Sequence, residues 1–255
     1  MNIGIVIICT NGYLPLGIRL IKKFINHYKG SNNLKFIVFN NESNIYNYLS
    51  EIEIPYVESI SNEHKSWQDS TNSKFTNILS IHDMDLDFIY YIDSDTNIVN
   101  DFDDSWFIIG DLVAGEHFAN RTSMLYKKNF DRNIKSCAFI PYNSNEINKM
   151  YYYGAFFGGR KEEVIKMCKI LYNWQIIDRL IGYEPCANDE SYLNKYFDDN
   201  KPSIIFNNDF KFIISDKGGF NELRNIHYVD KNIIKDMISY KECIYDIIDG
   251  RIIID

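Results

Sequence analysis

A chain of 255 residues, 45% hydrophobic and 15% aromatic, carries enough apolar surface for a sizeable core in one large domain or two intimate halves. Charged residues at 24% exclude wholesale disorder, and a net charge of -8 argues against a general nucleic-acid binder, which carries a basic footprint. An acidic chain can still bind a nucleotide through a metal, because the cation carries the phosphate attraction. The five cysteines, Cys9, Cys137, Cys168, Cys186 and Cys243, are scattered and show no C-x-x-C spacing. That pattern argues against a zinc site or a disulfide framework and fits a reducing compartment. No apolar run is long enough to span a bilayer, so no transmembrane segment is expected.

Ile3 to Cys9 is a continuous apolar run, which predicts a strand buried on both faces rather than a signal peptide. Thr10-Asn11-Gly12 breaks it, and Leu16 to Tyr28 follows with helical apolar spacing through Leu16, Ile18, Leu20, Ile21, Phe24 and Ile25. Lys35 to Phe39 reads as a second strand, followed by a weaker helix and a short strand near Ile54-Pro55-Tyr56. Trp67 to His82 predicts one helix, with Phe75, Ile78, Leu79 and Ile81 on its apolar face. Phe88 to Ile92 is a third clear strand and ends at Asp93. Phe118 to Asn148 is polar and turn-rich, as in surface loops. Val164 to Leu180 predicts a helix with Val164, Cys168, Leu171 and Ile177 inward, and Glu190 to Phe197 predicts another. Strands alternating with helices imply a mostly parallel α/β sheet, whose ligands bind at the carboxyl ends of strands.

Three segments carry candidate chemistry. Asp93-Ser94-Asp95 follows an apolar strand at once. On an extended chain its two carboxylates point to the same side and offer hard oxygens for Mn²⁺ or Mg²⁺. Such a triplet alone is weak evidence, since ordinary acidic turns contain it too. Tyr151 to Gly159 runs aromatic, small, aromatic, then two glycines, and reads either as a ligand-approach segment or as a buried strand with a glycine turn. Asn188-Asp189-Glu190 stands at the start of a helix, where Asn188 or Asp189 can cap and both acids lie near the positive end. Glu190 suits stabilisation of an oxocarbenium-like centre, and Asp189 suits hydrogen bonds to sugar hydroxyls. His117, Trp67 and Lys231 are further candidates, each with an ordinary structural or solvated alternative.

Read together, Tyr151–Gly159, Asp189–Tyr196 and Lys65-Ser66-Trp67-Gln68-Asp69 resemble the family 6 retaining glycosyltransferases. That family includes the histo-blood-group transferases and α1,3-galactosyltransferase. The resemblance covers nearly the whole chain and, without an anchor, looks like the short bacterial form. It implies one GT-A domain over 1–255, with a nucleotide-binding part at about 1–115 and a donor-sugar and acceptor part at about 116–255. It implies transfer of galactose or N-acetylgalactosamine from a UDP-sugar donor to O3 of an acceptor galactoside, often a fucosylated one. A bacterial enzyme of this kind is expected in the cytoplasm or peripheral to the inner membrane.

Matched residue by residue, Ile8, Cys9, Thr10 and Tyr13 fall on the loop that cradles the uridine. Asp93 and Asp95 fall on the metal-binding triplet with Ser94 between them, implying Mn²⁺ or Mg²⁺. Tyr153, Gly154 and Ala155 fall on the segment that selects the donor sugar, and His117 on an acceptor-binding histidine. Asp189 matches the donor-binding aspartate, Glu190 the catalytic glutamate and Lys231 a diphosphate-binding lysine. Three departures stand out: Ala187-Asn188 replaces the family's Trp-His, Lys74 stands where a donor-side arginine is expected, and a second basic contact falls near Met237, with Lys235 as an alternative. Ala187 therefore leaves acceptor identity open, and Ala155, narrower than glycine, leans the donor towards UDP-galactose. Rival readings are another UDP-sugar transferase of the same fold, or a carbohydrate-binding domain without catalysis. A dinucleotide oxidoreductase is more remote, since Cys9-Thr10-Asn11-Gly12 lacks the G-x-G-x-x-G pattern.

Overall fold

The apolar run at the amino end forms β1 (Asn2–Cys9), in which Ile3 to Cys9 are all buried. This is a computed structural model, which describes residues 1–10, 13–41, 57–61, 67–98, 100–117, 120, 128–142, 149–206 and 213–215. Helix α1 (Leu14–His27) follows and lays Leu16, Ile18, Leu20, Ile21 and Phe24 on the sheet, while Ile25 at the stripe's edge stays exposed. Strand β2 (Asn33–Asn40) pairs parallel with β1, and β3 (Val57–Ser61) parallel with β2. The strand expected near Ile54-Pro55-Tyr56 lies outside the described residues.

The single helix expected from Trp67 to His82 is two, α2 (Trp67–Asn72) and α3 (Lys74–Ser80). Ser73 interrupts it because its hydroxyl donates to the Ser70 carbonyl at 2.8 Å, competing with the helical ladder. Strand β4 (Phe88–Ile92) pairs parallel with β1, and β5 (Thr96–Ile98) leaves the main sheet to join a later short strand. Strands β6 (Leu112–Glu116) and β7 (Tyr152–Arg160) are antiparallel to each other, and β7 is also antiparallel to β4. Helices α4 (Lys161–Leu180) and α5 (Asn188–Asp199) come next, then β8 (Ile204–Phe206) parallel to β6 and β9 (Ile213–Ser215) beside β5. The seven-stranded sheet runs β3-β2-β1-β4-β7-β6-β8 and is mostly parallel, the α/β arrangement of a GT-A fold.

The sheet is buried on both faces. Ile3, Ile5 and Ile7 of β1 join Phe24, Phe36, Tyr90 and Phe107 on one side. Val6 and Ile8 join Phe75, Ile89, Tyr91, Phe157 and Tyr192 on the other. Each such side chain contributes roughly 1.5–3 kcal/mol by leaving water. Where β7 meets β4 the backbones approach so closely that only glycine fits. A Cβ on Gly158 would strike the Ile89 carbonyl oxygen and lie 2.8 Å from Tyr90 Cα. Backbone cannot yield as a side-chain tip can, so Gly158→Ala is expected to cost roughly 2–3 kcal/mol, read as a lowered urea midpoint.

Two sequence expectations fail for a common reason. Ile177 is 48% exposed, and its neighbour Asp178 is wholly buried instead. Asp178 accepts from the Ser136 hydroxyl at 2.6 Å, the Cys137 amide at 2.8 Å and the Tyr192 hydroxyl at 3.1 Å. Asp131 likewise accepts from Tyr183 at 2.8 Å and from the Cys186 amide at 3.1 Å. These two carboxylates bind the 128–142 segment to α4 and to the entrance of α5. That segment therefore buries Phe130, Ala138 and Ile140 and is not merely surface loop. No described helix is long and apolar enough to cross a membrane.

Candidate active site

Strand ends, three helix starts and the middle of β7 converge on one cleft of about 450 Å³. Ile8 and Thr10 line it from the end of β1, and Tyr13 from the start of α1. Asp93, Ser94 and Asp95 line it beyond β4, Lys74 from α3, Tyr153, Gly154 and Ala155 from β7. Ala187, Asn188, Asp189 and Glu190 close it from the start of α5. The acidic triplet is not extended. The Thr96 amide donates to the Asp93 carbonyl at 3.0 Å, closing a turn that brings both carboxylates to the cleft. The Asp93 amide donates to the Ala155 carbonyl at 2.9 Å, so the triplet and the Tyr153–Ala155 stretch of β7 are fixed to each other.

Lys74 is the hub. Its ammonium lies 2.9 Å from Asp189 Oδ2 and 3.3 Å from Asp93 Oδ1, and donates to the Gly154 carbonyl at 3.1 Å. It also sits 4.7 Å above the centre of the Tyr91 ring. Burial works against its charge, but Asp189 and then Asp93 more than offset that, so Lys74 is held protonated above its ordinary range. Tyr91 donates its hydroxyl to Asp93 Oδ1 at 2.6 Å, and burial together with Asp93 keeps that phenol protonated. Asp189 is pushed up by burial, with Lys74 opposing the rise and Asp93 adding to it.

Glu190 is gripped at both oxygens. The Tyr151 hydroxyl donates to Oε1 at 2.8 Å and the Gly154 amide to Oε2 at 2.7 Å. Burial pushes its carboxyl up to about 7; the Gly154 and Tyr151 hydrogen bonds oppose the rise, Asp189 adds to it, and Lys74 opposes it. Gly154 makes the grip possible, because a Cβ there would lie 3.1 Å from both Cβ and Oε2 of Glu190. The start of α5 is not capped by Asn188 or Asp189 as expected. Ala187 is the capping position, without a side-chain bond, and Asn188 enters the helix at φ 47. Asn accepts that left-handed backbone at low cost, and Asp189 spends its carboxylate on Lys74.

Two expected residues stand elsewhere. Cys9 is fully buried and its thiol packs on Gly17 of α1, where any Cβ would collide with the sulfur, so the Cys9 side chain does not line the cleft. Strand alternation explains this, since Ile8 faces the opposite side of the sheet. His117 is buried against the edges of Tyr151 and Tyr153, 5.1 and 5.3 Å between ring centres, behind the cleft wall. Lys231, Lys65, Ser66, Lys235 and Met237 lie outside the described residues. Ser70, Thr71 and Asn129 line the cleft without having been singled out; the Trp67-Gln68-Asp69 stretch pointed near the first two, and Asn129 lies in the segment read as surface loops.

Among the described residues the charged groups lining the cleft are four carboxylates, Asp93, Asp95, Asp189 and Glu190, against one ammonium, Lys74. Among the described residues no three His, Cys, Asp or Glu gather tightly enough to hold a metal alone. Asp93 and Asp95 nonetheless fit a divalent ion that takes one or two carboxylates from protein and the rest of its shell from phosphates and water.

Comparison with known proteins agrees with this geometry. The model of glycosyltransferase family 6 matches residues 3–238. The chain is 28% identical over 245 residues to the O-antigen biosynthesis glycosyltransferase WbnI of Escherichia coli, covering 85% of this chain and 95% of that protein. It is 30% identical over 122 residues to histo-blood group ABO system transferase 2 of Rattus norvegicus, covering 48% of this chain and 34% of that protein. It is 26% identical over 155 residues to globoside alpha-1,3-N-acetylgalactosaminyltransferase 1 of Gallus gallus, covering 58% of this chain and 43% of that protein. The chain thus spans less than half the length of these animal relatives. With its fold, its cleft and a family match over nearly its full length, the chain belongs to glycosyltransferase family 6.

Proposed function

We propose that the cleft transfers galactose from UDP-galactose to O3 of an acceptor galactoside, plain or fucosylated, with retention in α linkage. The observation that supports this most is the meeting of Asp93, Asp95, Lys74, Asp189 and Glu190 around Gly154 and Ala155. Residues on either side of the expected division near 115 line the same cleft, which suits a nucleotide part and a sugar part acting together. Ile8, Thr10 and Tyr13 would receive the uridine end, Ser94 and Lys231 would contribute to the phosphates, and Tyr153 to Ala155 would face the sugar. His117, behind Tyr153, and Ala187, at the mouth, would belong to the acceptor side.

The excess of carboxylates repels a bare diphosphate, so a divalent ion on Asp93 and Asp95 would neutralise the charge of the departing UDP. Lys74 holds Asp93 and Asp189 at fixed spacing, and Asp189 would accept from donor hydroxyls. Glu190 would face the β side of the anomeric centre, as an ion-pair partner or a nucleophile, while the acceptor hydroxyl attacks from the other side.

A second donor is supported by the globoside relatives, whose names specify N-acetylgalactosamine. The Ala155 methyl narrows the space for an acetamido group, yet one methyl discriminates by only roughly 1–3 kcal/mol. UDP release from a panel of UDP-sugars, with Mn²⁺ and with EDTA, with and without a fucosylated galactoside, tests the proposal. Release from UDP-galactose that EDTA abolishes is the expected result. Release from UDP-N-acetylgalactosamine alone would overturn the donor, and release unaffected by EDTA would overturn the metal role of Asp93 and Asp95.

A further inference from the structure

We infer that Tyr151 is a positioning residue for transfer, holding the Glu190 carboxylate in one plane at the cleft together with the Gly154 amide. The inference rests on the reading that Glu190 faces the anomeric centre. Tyr151 itself does not line the cleft. Its ring is fully buried, edge-on to Phe130 at 5.0 Å and to His117 at 5.1 Å between centres, with Ile140 in the same cluster. A phenylalanine would fill that apolar pocket equally well, so the hydroxyl needs a separate reason. It has one: the phenol donates to Glu190 Oε1 at 2.8 Å. A phenol has a single proton to donate, and here the carboxylate receives it.

The two clamps differ in origin, and that makes the arrangement rigid. The Gly154 amide belongs to the backbone of β7 and holds Oε2 at 2.7 Å. Tyr151 immediately precedes the same strand and reaches Oε1 through a ring locked by packing. A carboxylate held at both oxygens cannot swing away from a developing positive charge, so less reorganisation is needed at the moment of reaction. Other charged or titratable groups also face this pair. Asp189 and Lys74 act on Glu190 directly, Asp93 lies beyond Lys74, Cys186 lies ahead of α5, and His117 lies against the Tyr151 ring. Among them Tyr151 and Gly154 make the side-chain and main-chain bonds that favour the ionised form of Glu190.

The test is Tyr151→Phe beside Glu190→Gln and the wild type, each checked for folding by near-ultraviolet circular dichroism and UDP binding. The expected result for Tyr151→Phe is a fall in kcat of roughly tenfold to a hundredfold at neutral pH, with the donor KM changed by less than about threefold. The acid limb of its kcat–pH profile moves up by about one pH unit, so activity partly returns in alkali. Site-specific 3-fluorotyrosine at 151 keeps the ring's shape and makes the phenol a stronger donor, so it is expected to move the limb the other way. Loss of kcat that is uniform with pH in Tyr151→Phe, or a limb unmoved by fluorination, would overturn the inference. So would wild-type behaviour of Tyr151→Phe alongside a dead Glu190→Gln, which leaves the reading of Glu190 intact. Full activity in Glu190→Gln would overturn that reading itself.

Discussion

Glu190→Gln is expected to lower transfer by roughly a thousandfold or more while UDP still binds, because in the proposed mechanism the change removes a charge at the reacting centre and nothing at the nucleotide. The same substitution is expected to stabilise the protein in alkali. Burial raises the Glu190 carboxyl to about 7, above its ordinary value, so the fold binds this proton more tightly than the unfolded chain does. The stability linked to it is complete below the ordinary carboxylate range and is lost as pH rises through about 7. Glutamine carries no charge and escapes that loss, which has a ceiling of roughly 3 kcal/mol. Melting temperatures of the two proteins should therefore nearly coincide at pH 5 and diverge by several degrees at pH 9, the glutamine form being higher. Higher stability together with lost activity in this variant would support the proposed placement of Glu190 for chemistry. Equal divergence at both pH values would show that the carboxyl is not held up by burial.

Lys74→Met is expected to be the most destabilising change in the cleft. It leaves Asp189 buried without its cation and removes a donor from the Gly154 carbonyl. Removing one partner of a buried pair costs more than the pair contributes, here roughly 3 kcal/mol. The sign with pH follows from Asp189, whose carboxyl burial already raises and Lys74 lowers. Without Lys74 it rises further and protonates more readily, so the deficit against wild type shrinks as pH falls. Urea midpoints at pH 8 and pH 5 read this directly, with the larger gap expected at pH 8. Lys74→Arg keeps the charge and is expected to retain most of the stability, though its planar fork cannot reproduce three contacts made by one ammonium. A Lys74→Met midpoint equal to wild type at pH 8 would mean that the ammonium does not bind the two aspartates together.

What could be read in the sequence was whatever short-range pattern decides. The runs Ile3–Cys9 and Phe88–Ile92 had to be strands buried on both faces, and they form β1 and β4. The helix after Asn188 was legible from its acids, and the position of Asp93 from the strand before it. What escaped depends on partners distant in the chain. Asp178 is buried because Ser136, Cys137 and Tyr192 reach it, which no helical periodicity reveals, and Ile177 is consequently turned outward. The role of Lys74 rests on a carbonyl 80 residues away. Tyr151 looked like one aromatic in a strand until Glu190, 39 residues on, was found on its hydroxyl. The side-chain direction of Cys9 followed from strand alternation, but which face held the cleft was set by where β7 and α5 came to lie.

The most direct test of the account is the stereochemistry of the first product. Wild-type protein incubated with UDP-galactose, Mn²⁺ and a galactoside acceptor, followed by proton NMR, is expected to give an α-linked disaccharide from the earliest time points. A β-linked product would contradict a retaining reaction at Glu190 and, with it, the central claim.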